Sequence, residues 1–236
     1  ARNEDKLEEQ CKFLKEKFDI DAQYIVADLS LPGTPEQIFE EVKTRGLEVG
    51  MLINNAGIGS GGEFAELSLK SQLDLIQLNI SSLVAMTHLF LVKMKARRKG
   101  TIVNIASMAA FMPVPYMSTY AASKAFVRSF TEAITQECVP YNVHVMLFSP
   151  GLTKTNFNQA AGIHGDTATG LRADYDSTPT QTPEQVADEI IRALDKGKQA
   201  TVSGVLNRIA ARLITFMPNS MIARNVAKQY RKRLKM

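Results

Sequence analysis

The sequence predicts an α/β fold, a single domain built on one doubly wound parallel sheet. Three observations point there. Apolar, β-branched runs recur at Met51–Ile53, Thr101–Ala106 and Val143–Phe148, the pattern of strands buried on both faces. Long helical stretches at about 68–97 and 117–139 separate them, as parallel strands require crossovers. Each run ends in a turn carrying polar or glycine residues, namely Asn54-Asn55-Ala56-Gly57, Ser107 and Ser149-Pro150-Gly151-Leu152-Thr153. Ligands of open α/β sheets bind beyond the carboxyl ends of their strands.

The remaining elements follow in order. Leu7, Cys11, Leu14 and Phe18 repeat at three and four residues and form the stripe of a first helix. Gln23–Asp28 reads as a strand, and a helix starts around Pro35-Glu36 with Thr34 as its cap. Asn79 falls within the long helix between the Met51 and Thr101 strands. No internal repeat or linker interrupts the chain, so residues 1–236 form one domain. Residues 154–182 are expected to be a substrate lid, because Asn156 to Thr180 is long for a loop and rich in Gly, Thr, Ala and Asp. Residues 205–236 are expected to form a helical, basic extension.

The chemistry-bearing residues centre on Tyr120-Ala121-Ala122-Ser123-Lys124, with Ser107 ending the preceding strand. Residues four apart share one helix face, about 5–6 Å between Cβ atoms. An ammonium beside a phenol favours the phenolate: at an effective dielectric near 20, two unit charges about 4 Å apart interact by roughly 4 kcal/mol. Each pKa unit is worth about 1.4 kcal/mol, so the Tyr120 phenol is expected to fall toward neutrality and exchange a proton with an alcohol or ketone.

These motifs, Asn54-Asn55-Ala56-Gly57, Asn79, Ser107, Tyr120-x-x-x-Lys124, Pro150-Gly151 and Thr153, stand in the order and at the separations of the short-chain dehydrogenase/reductase family, which the chain resembles over nearly its whole length. The resemblance implies a Rossmann-like sheet and hydride transfer between a nicotinamide cofactor and a carbonyl or alcohol carbon. It implies that Tyr120 moves the proton, that Ser107 hydrogen-bonds the substrate oxygen, and that Lys124 lowers the tyrosine pKa and binds ribose. Asn79 would hold a water that links Lys124 to solvent. Asp28 resembles the family's adenine contact, with Leu29 beside it in the cofactor set. Asn55, Ala56 and Gly57 resemble the turn along the ribose, Thr153 the hydroxyl on the carboxamide, and Pro150-Gly151 its tight turn. Arg2 suits a ribose 2′-phosphate, which favours NADP over NAD.

The chain departs from the family pattern at its front. Ala1-Arg2-Asn3 resembles the turn after the family's second strand, so the first strand and the Thr-Gly-x-x-x-Gly-x-Gly loop that holds the pyrophosphate are expected to be missing from this sequence. A catalytically silent ligand- or partner-binding relative, or an inactive truncated form, is the alternative to an active enzyme. Gly57-Ile58-Gly59-Ser60-Gly61-Gly62 imitates a dinucleotide fingerprint, but the next helix starts only near Ser68 and Asp74 lies inside it.

Composition narrows the classes further. Charged residues at 22% and hydrophobic residues at 45% are ordinary for a globular protein. Cys11 and Cys138 lack metal spacing, which suggests free thiols and a cytoplasmic location. His88, His144 and His164 have no spaced metal partner. No apolar run is expected to approach the roughly 20 residues of a membrane span. The loop Met108–Met117, rich in methionine and aromatic residues, suggests a hydrophobic ketone or alcohol substrate, acyl or steroid-like. The resemblance implies a homodimer or homotetramer paired through the two long helices. At the carboxyl end Ile222, Val226, Tyr230 and Leu234 form a stripe beside Arg224, Lys228, Arg231, Lys232, Arg233 and Lys235. Removing these six from the 28 basic residues leaves 22 against 24 acidic, so the positive charge is local. Such a helix suits peripheral contact with anionic membrane, to which the preceding Leu206, Ile209, Leu213, Phe216 and Met217 would add apolar area, or a docked subunit. Nucleic acid is not expected, since no stacking platform accompanies the charge.

Overall fold

The structure is a computed structural model and describes residues 1–155, 157 and 180–234. The expected lid over 154–182 therefore lies almost wholly outside the described residues. Four parallel strands run in the order β1 (Met51–Asn54), β2 (Gly100–Ile105), β3 (Val143–Ser149) and β4 (Ala200–Val202). Ahead of them come α1 (Glu4–Phe18) and α2 (Thr34–Thr44). The β1–β2 crossover holds α3 (Leu69–Ile76), a π turn (Gln77–Ser81) and α4 (Ser82–Arg97). The β2–β3 crossover holds α5 (Ser118–Cys138); α6 (Pro183–Asp195) precedes β4. Two further helices, α7 (Val205–Thr215) and α8 (Asn219–Leu234), end the chain.

Side chains alternate across the sheet and bury against helices on both faces, which makes it doubly wound. Leu52, Ile102 and Val145 pack on Met86, Phe90 and Met94 of α4 and on Ile134 and Cys138 of α5. Val103, Ile105, Met146 and Phe148 point the other way, onto Val186, Ile190 and Ala193 of α6. A polar ladder crosses the first face: the Asn54 amide donates to Asn104 Oδ1 at 2.8 Å and to Thr87, and the Asn104 amide donates to Thr131 at 3.0 Å. Every member has a partner, as burial of polar groups demands.

Four expectations change. Gln23–Asp28 is extended but forms no strand, because one backbone bond, Ala27 N–H to the Ala1 carbonyl, does not make a ladder. Met51–Ile53 is not buried on both sides: Leu52 is covered, while Met51 and Ile53 are about half exposed on the face that Val103 shares. Thr34 does not cap α2; Gly33, at φ 81°, takes that place and Thr34 begins the helix, followed by Pro35. The continuous helix Leu69–Arg97 is long and apolar enough to cross a membrane by length and composition. Its Leu83, Met86, Phe90 and Met94 are nevertheless buried against the sheet and α5, as in the core helix of a layered fold.

Candidate active site

The carboxyl end of β2 carries Ser107, whose backbone is still extended and whose hydroxyl accepts the Ala109 N–H at 3.2 Å. That bond starts a short 3₁₀ turn, Met108–Phe111, and Met108 N–H donates to the Pro150 carbonyl at 2.9 Å. The turns after β2 and β3 are thereby tied together. The chain then reverses through Tyr116, a non-glycine residue at φ 66°, and enters α5. Tyr120 and Lys124 occupy the first two turns of α5 and are both buried.

The Ser107 side chain stands close enough to the Tyr120 hydroxyl to favour its ionised form. Lys124 Nζ donates to the Ile105 carbonyl at 3.0 Å, which aims the ammonium at the end of β2. Ser123 Oγ donates to the Tyr120 carbonyl at 2.7 Å and accepts from Asn79 Nδ2 at 3.0 Å. Asn79, in the π turn, also clamps Ile58: its Oδ1 accepts the Ile58 N–H at 3.0 Å, and its Nδ2 donates to the Ile58 carbonyl at 2.9 Å. The extra residue of a π turn is a common device at functional sites. Gly57 closes the ring. A Cβ placed there would stand 3.2 Å from Asn79 Oδ1 and 3.3 Å from Lys124 Nζ. The structure thus brings Gly57, Asn79, Ser107, Tyr120 and Lys124 into one cluster, with Asn79, Tyr120 and Lys124 buried and Gly57 and Ser107 half-buried.

The electrostatics correct one expectation. Burial raises the Tyr120 phenol above its usual range, and the neighbouring Ser107 side chain pulls it partly back. Burial also lowers the Lys124 ammonium, to about 8. A dry site penalises both charges, so the phenol does not fall toward neutrality in this arrangement. Lys124 instead sits near the point where it gains and loses its proton at mild pH.

The other expected residues fall into two groups. Arg2 and Asp28 approach at 3.6 Å near the start of α1. The Asp28 carboxyl is held below its usual range, mainly by the Ser30 hydroxyl and N–H and to a smaller extent by Arg2. The Leu29 carbonyl accepts from Ser82 Oγ at 2.5 Å, three residues past Asn79. Asn55 and Ala56 occupy the turn ahead of Gly57. After β3, Thr153 Oγ1 donates to the Gly151 carbonyl at 3.2 Å. A Cβ at Gly151 would stand 2.1 Å from Asn207 Nδ2 of α7, so only glycine lets α7 approach that turn.

Several site residues escaped the sequence reading. Ser123 is fully buried and joins Asn79 to Tyr120; its place directly before Lys124 was the available signal. The Phe157 ring lies 5.5 Å from the Tyr120 ring, and no sequence signal marked it. The Gly57–Gly62 run is a loop between β1 and a 3₁₀ turn at Phe64–Glu66, with no helix opening on it, so its resemblance to a phosphate fingerprint carries no phosphate site.

Comparison with known proteins gives a consistent picture. The model of the short chain dehydrogenase family matches residues 1–164. The very-long-chain 3-oxoacyl-CoA reductase of Rattus norvegicus is 36% identical over 163 residues, 66% of this chain and 50% of that protein. The chain thus spans about half the length of that reductase. The 7beta-hydroxysteroid dehydrogenase of Mediterraneibacter gnavus is 28% identical over 208 residues, 88% of this chain and 76% of that one. Among solved structures, a short-chain dehydrogenase from Sphingobium yanoikuyae in complex with NADPH superposes with a TM-score of 0.77 at 23% identity, over 92% of this chain and 84% of that one. That likeness bears on the fold.

Proposed function

The chain belongs to the short-chain dehydrogenase family, and on that premise we propose that it is an NADP-dependent oxidoreductase acting on a hydrophobic ketone or secondary alcohol. The observation that carries this reading is the pair Tyr120 and Lys124, buried one helical turn apart on α5 beside Ser107, with the Lys124 ammonium held on the Ile105 carbonyl. The names of the relatives support an acyl or steroid-like substrate and an NADP-type cofactor.

The residues present fit the nicotinamide end of such a cofactor. Gly57 sets no Cβ against the buried Lys124 ammonium and Asn79 amide, so the backbone there can approach a bound group closely, and Thr153 offers a hydroxyl at the end of β3. Asn55, Ala56, Pro150 and Gly151 belong to the same rim, with Arg2, Asp28 and Leu29 assigned to the adenosine end. Among the described residues no strand–glycine turn–helix unit holds a pyrophosphate. The cofactor supplies the hydride when bound.

In this reading the protein's own groups do the rest. Ser107 donates a hydrogen bond to the carbonyl oxygen and steadies the charge that grows there. Tyr120 transfers its phenolic proton to that oxygen, or accepts one in the oxidative direction. Lys124, charged below about pH 8, offsets the phenolate that this transfer leaves. Asn79 and Ser123 fix the backbone around both residues. Phe157 lies against the Tyr120 ring, and the methionine-rich loop Met108–Met117 between Ser107 and α5 would add apolar, adaptable surface that suits a hydrophobic substrate.

Pairing of two copies through the long helices belongs to the same reading, supported by exposed Leu69, Leu73, Val92 and Phe126. So does a peripheral membrane location through the C-terminal helices. The test of the activity is NADPH absorbance with long-chain acyl and steroid ketones. Turnover by the wild type and its loss in Tyr120→Phe are expected; undiminished turnover in the variant overturns the assignment.

A further inference from the structure

The helices after β4 show an unpartnered face. In α7, Leu206, Ile209, Leu213 and Phe216 recur at three and four residues and share one side of the helix. They are 62%, 51%, 60% and 87% exposed. The opposite side faces the protein, with Ala211 buried and Asn207 against Gly151 of the turn after β3. The stripe of α8 behaves differently. Ile222 is buried, Val226 is half-buried, and Tyr230 lies against Tyr116 with ring centroids 5.7 Å apart. The α8 stripe therefore faces the protein, contrary to its expected role as a surface contact, and the outward apolar face belongs to α7.

Charge says what covers that face. Residues 196–236 contain ten Lys and Arg and no Asp or Glu. Arg212 flanks the α7 stripe, and Arg224, Lys228, Arg231 and Lys232 are exposed on α8. Among the described residues, none of these cations takes part in an ion pair. A second copy docked on the same stripe would bring Arg212 and its neighbours against their own equivalents. An anionic bilayer supplies both an apolar phase for the stripe and counter-charge for its rim.

We propose that the outward face of α7, rimmed by the cations of α7 and α8, docks on an anionic phospholipid surface. That face adjoins the candidate site: α7 packs on the 3₁₀ turn that follows Ser107, and α8 contacts Tyr116 at the entrance to α5. A ketone held in the same bilayer reaches the cleft from this side. The docking stands on the surface alone, whereas the delivery of a membrane-held substrate rests on the reductase reading above.

The test is co-sedimentation of the full chain with phosphatidylcholine vesicles, with and without phosphatidylglycerol. Wild type is expected to pellet with the anionic vesicles and to be released by high salt. The quadruple variant Leu206→Ser, Ile209→Ser, Leu213→Ser, Phe216→Ser should partition about tenfold less or weaker still, from its lost apolar area. Arg212→Gln with Arg224→Gln and Lys228→Gln, which leaves the apolar stripe intact, should weaken anionic-vesicle binding several-fold and serves should the quadruple variant misfold. Wild type that stays in the supernatant overturns the proposal. So does a quadruple variant that binds vesicles normally, or one that only converts a dimer to a monomer in sedimentation velocity. Turnover of a detergent-dispersed ketone, unchanged in both variants, separates this result from the reductase reading.

Discussion

Replacing Lys124 with methionine isolates the cost of burying its charge. The ammonium is about 5% exposed and titrates at about 8, against 10.5 for a free lysine. That difference, at about 1.4 kcal/mol for each tenfold change in proton affinity, amounts to about 3.5 kcal/mol. The sign follows from proton counts. Below pH 8 the lysine is protonated in both states, and between pH 8 and 10.5 only the unfolded chain holds the proton. Stability therefore rises with pH across that window and is lost again as pH falls through 8. Methionine removes this dependence but orphans the Ile105 carbonyl, at about 1–3 kcal/mol. Near pH 7 the variant should exceed the wild type by about 0.5–2.5 kcal/mol, and at pH 10.5 it should be the weaker by about 1–3 kcal/mol. Urea unfolding of both proteins at several pH values reads the difference directly. A difference independent of pH from 7 to 10.5 would refute the reasoning, because it would mean that Lys124 pays no penalty for its burial.

Tyr120→Phe should lower kcat by about 10²–10⁴-fold with little change in stability, since the ring contact with Phe157 remains; steady-state kinetics beside urea unfolding checks both. Asn79→Ala removes both bonds to Ile58 and the bond to Ser123. It should cost about 2–4 kcal/mol of stability and lower turnover, which thermal melts and an NADPH assay would show. Gly57→Ala should spare the fold but reduce kcat/KM, because the new methyl meets Lys124 Nζ at 3.3 Å; a fully active variant would show that nothing binds over that glycine. Arg2→Glu places a carboxylate beside Asp28 and should shift preference from NADPH toward NADH, read as the ratio of the two kcat/KM values.

Much of this protein was legible from its residues. Strands β2 and β3 were written as continuous apolar runs because both their faces are covered, and the helical stretch expected between them is α5. The set Asn79, Ser107, Tyr120 and Lys124 could be singled out because its residue types and spacing resemble a family motif, whereas the contacts that join Asn79 to Ser123 and Lys124 to Ile105 belong to the fold. The capping box that starts α6, Thr182 with Gln185, was also present in the sequence and would have placed that helix. Other features belong to the tertiary structure alone. Whether Gln23–Asp28 becomes a strand depends on a partner ladder, and periodicity within the segment carries no information about that. The phenol's pKa followed its burial rather than the cation that the i, i+4 spacing brought to notice. The side of the C-terminal helices that meets the protein was decided by contacts such as Asn207 with Gly151 and Tyr230 with Tyr116. A helical stripe shows that one face is apolar, but the residues packed against the helix determine whether that face is buried.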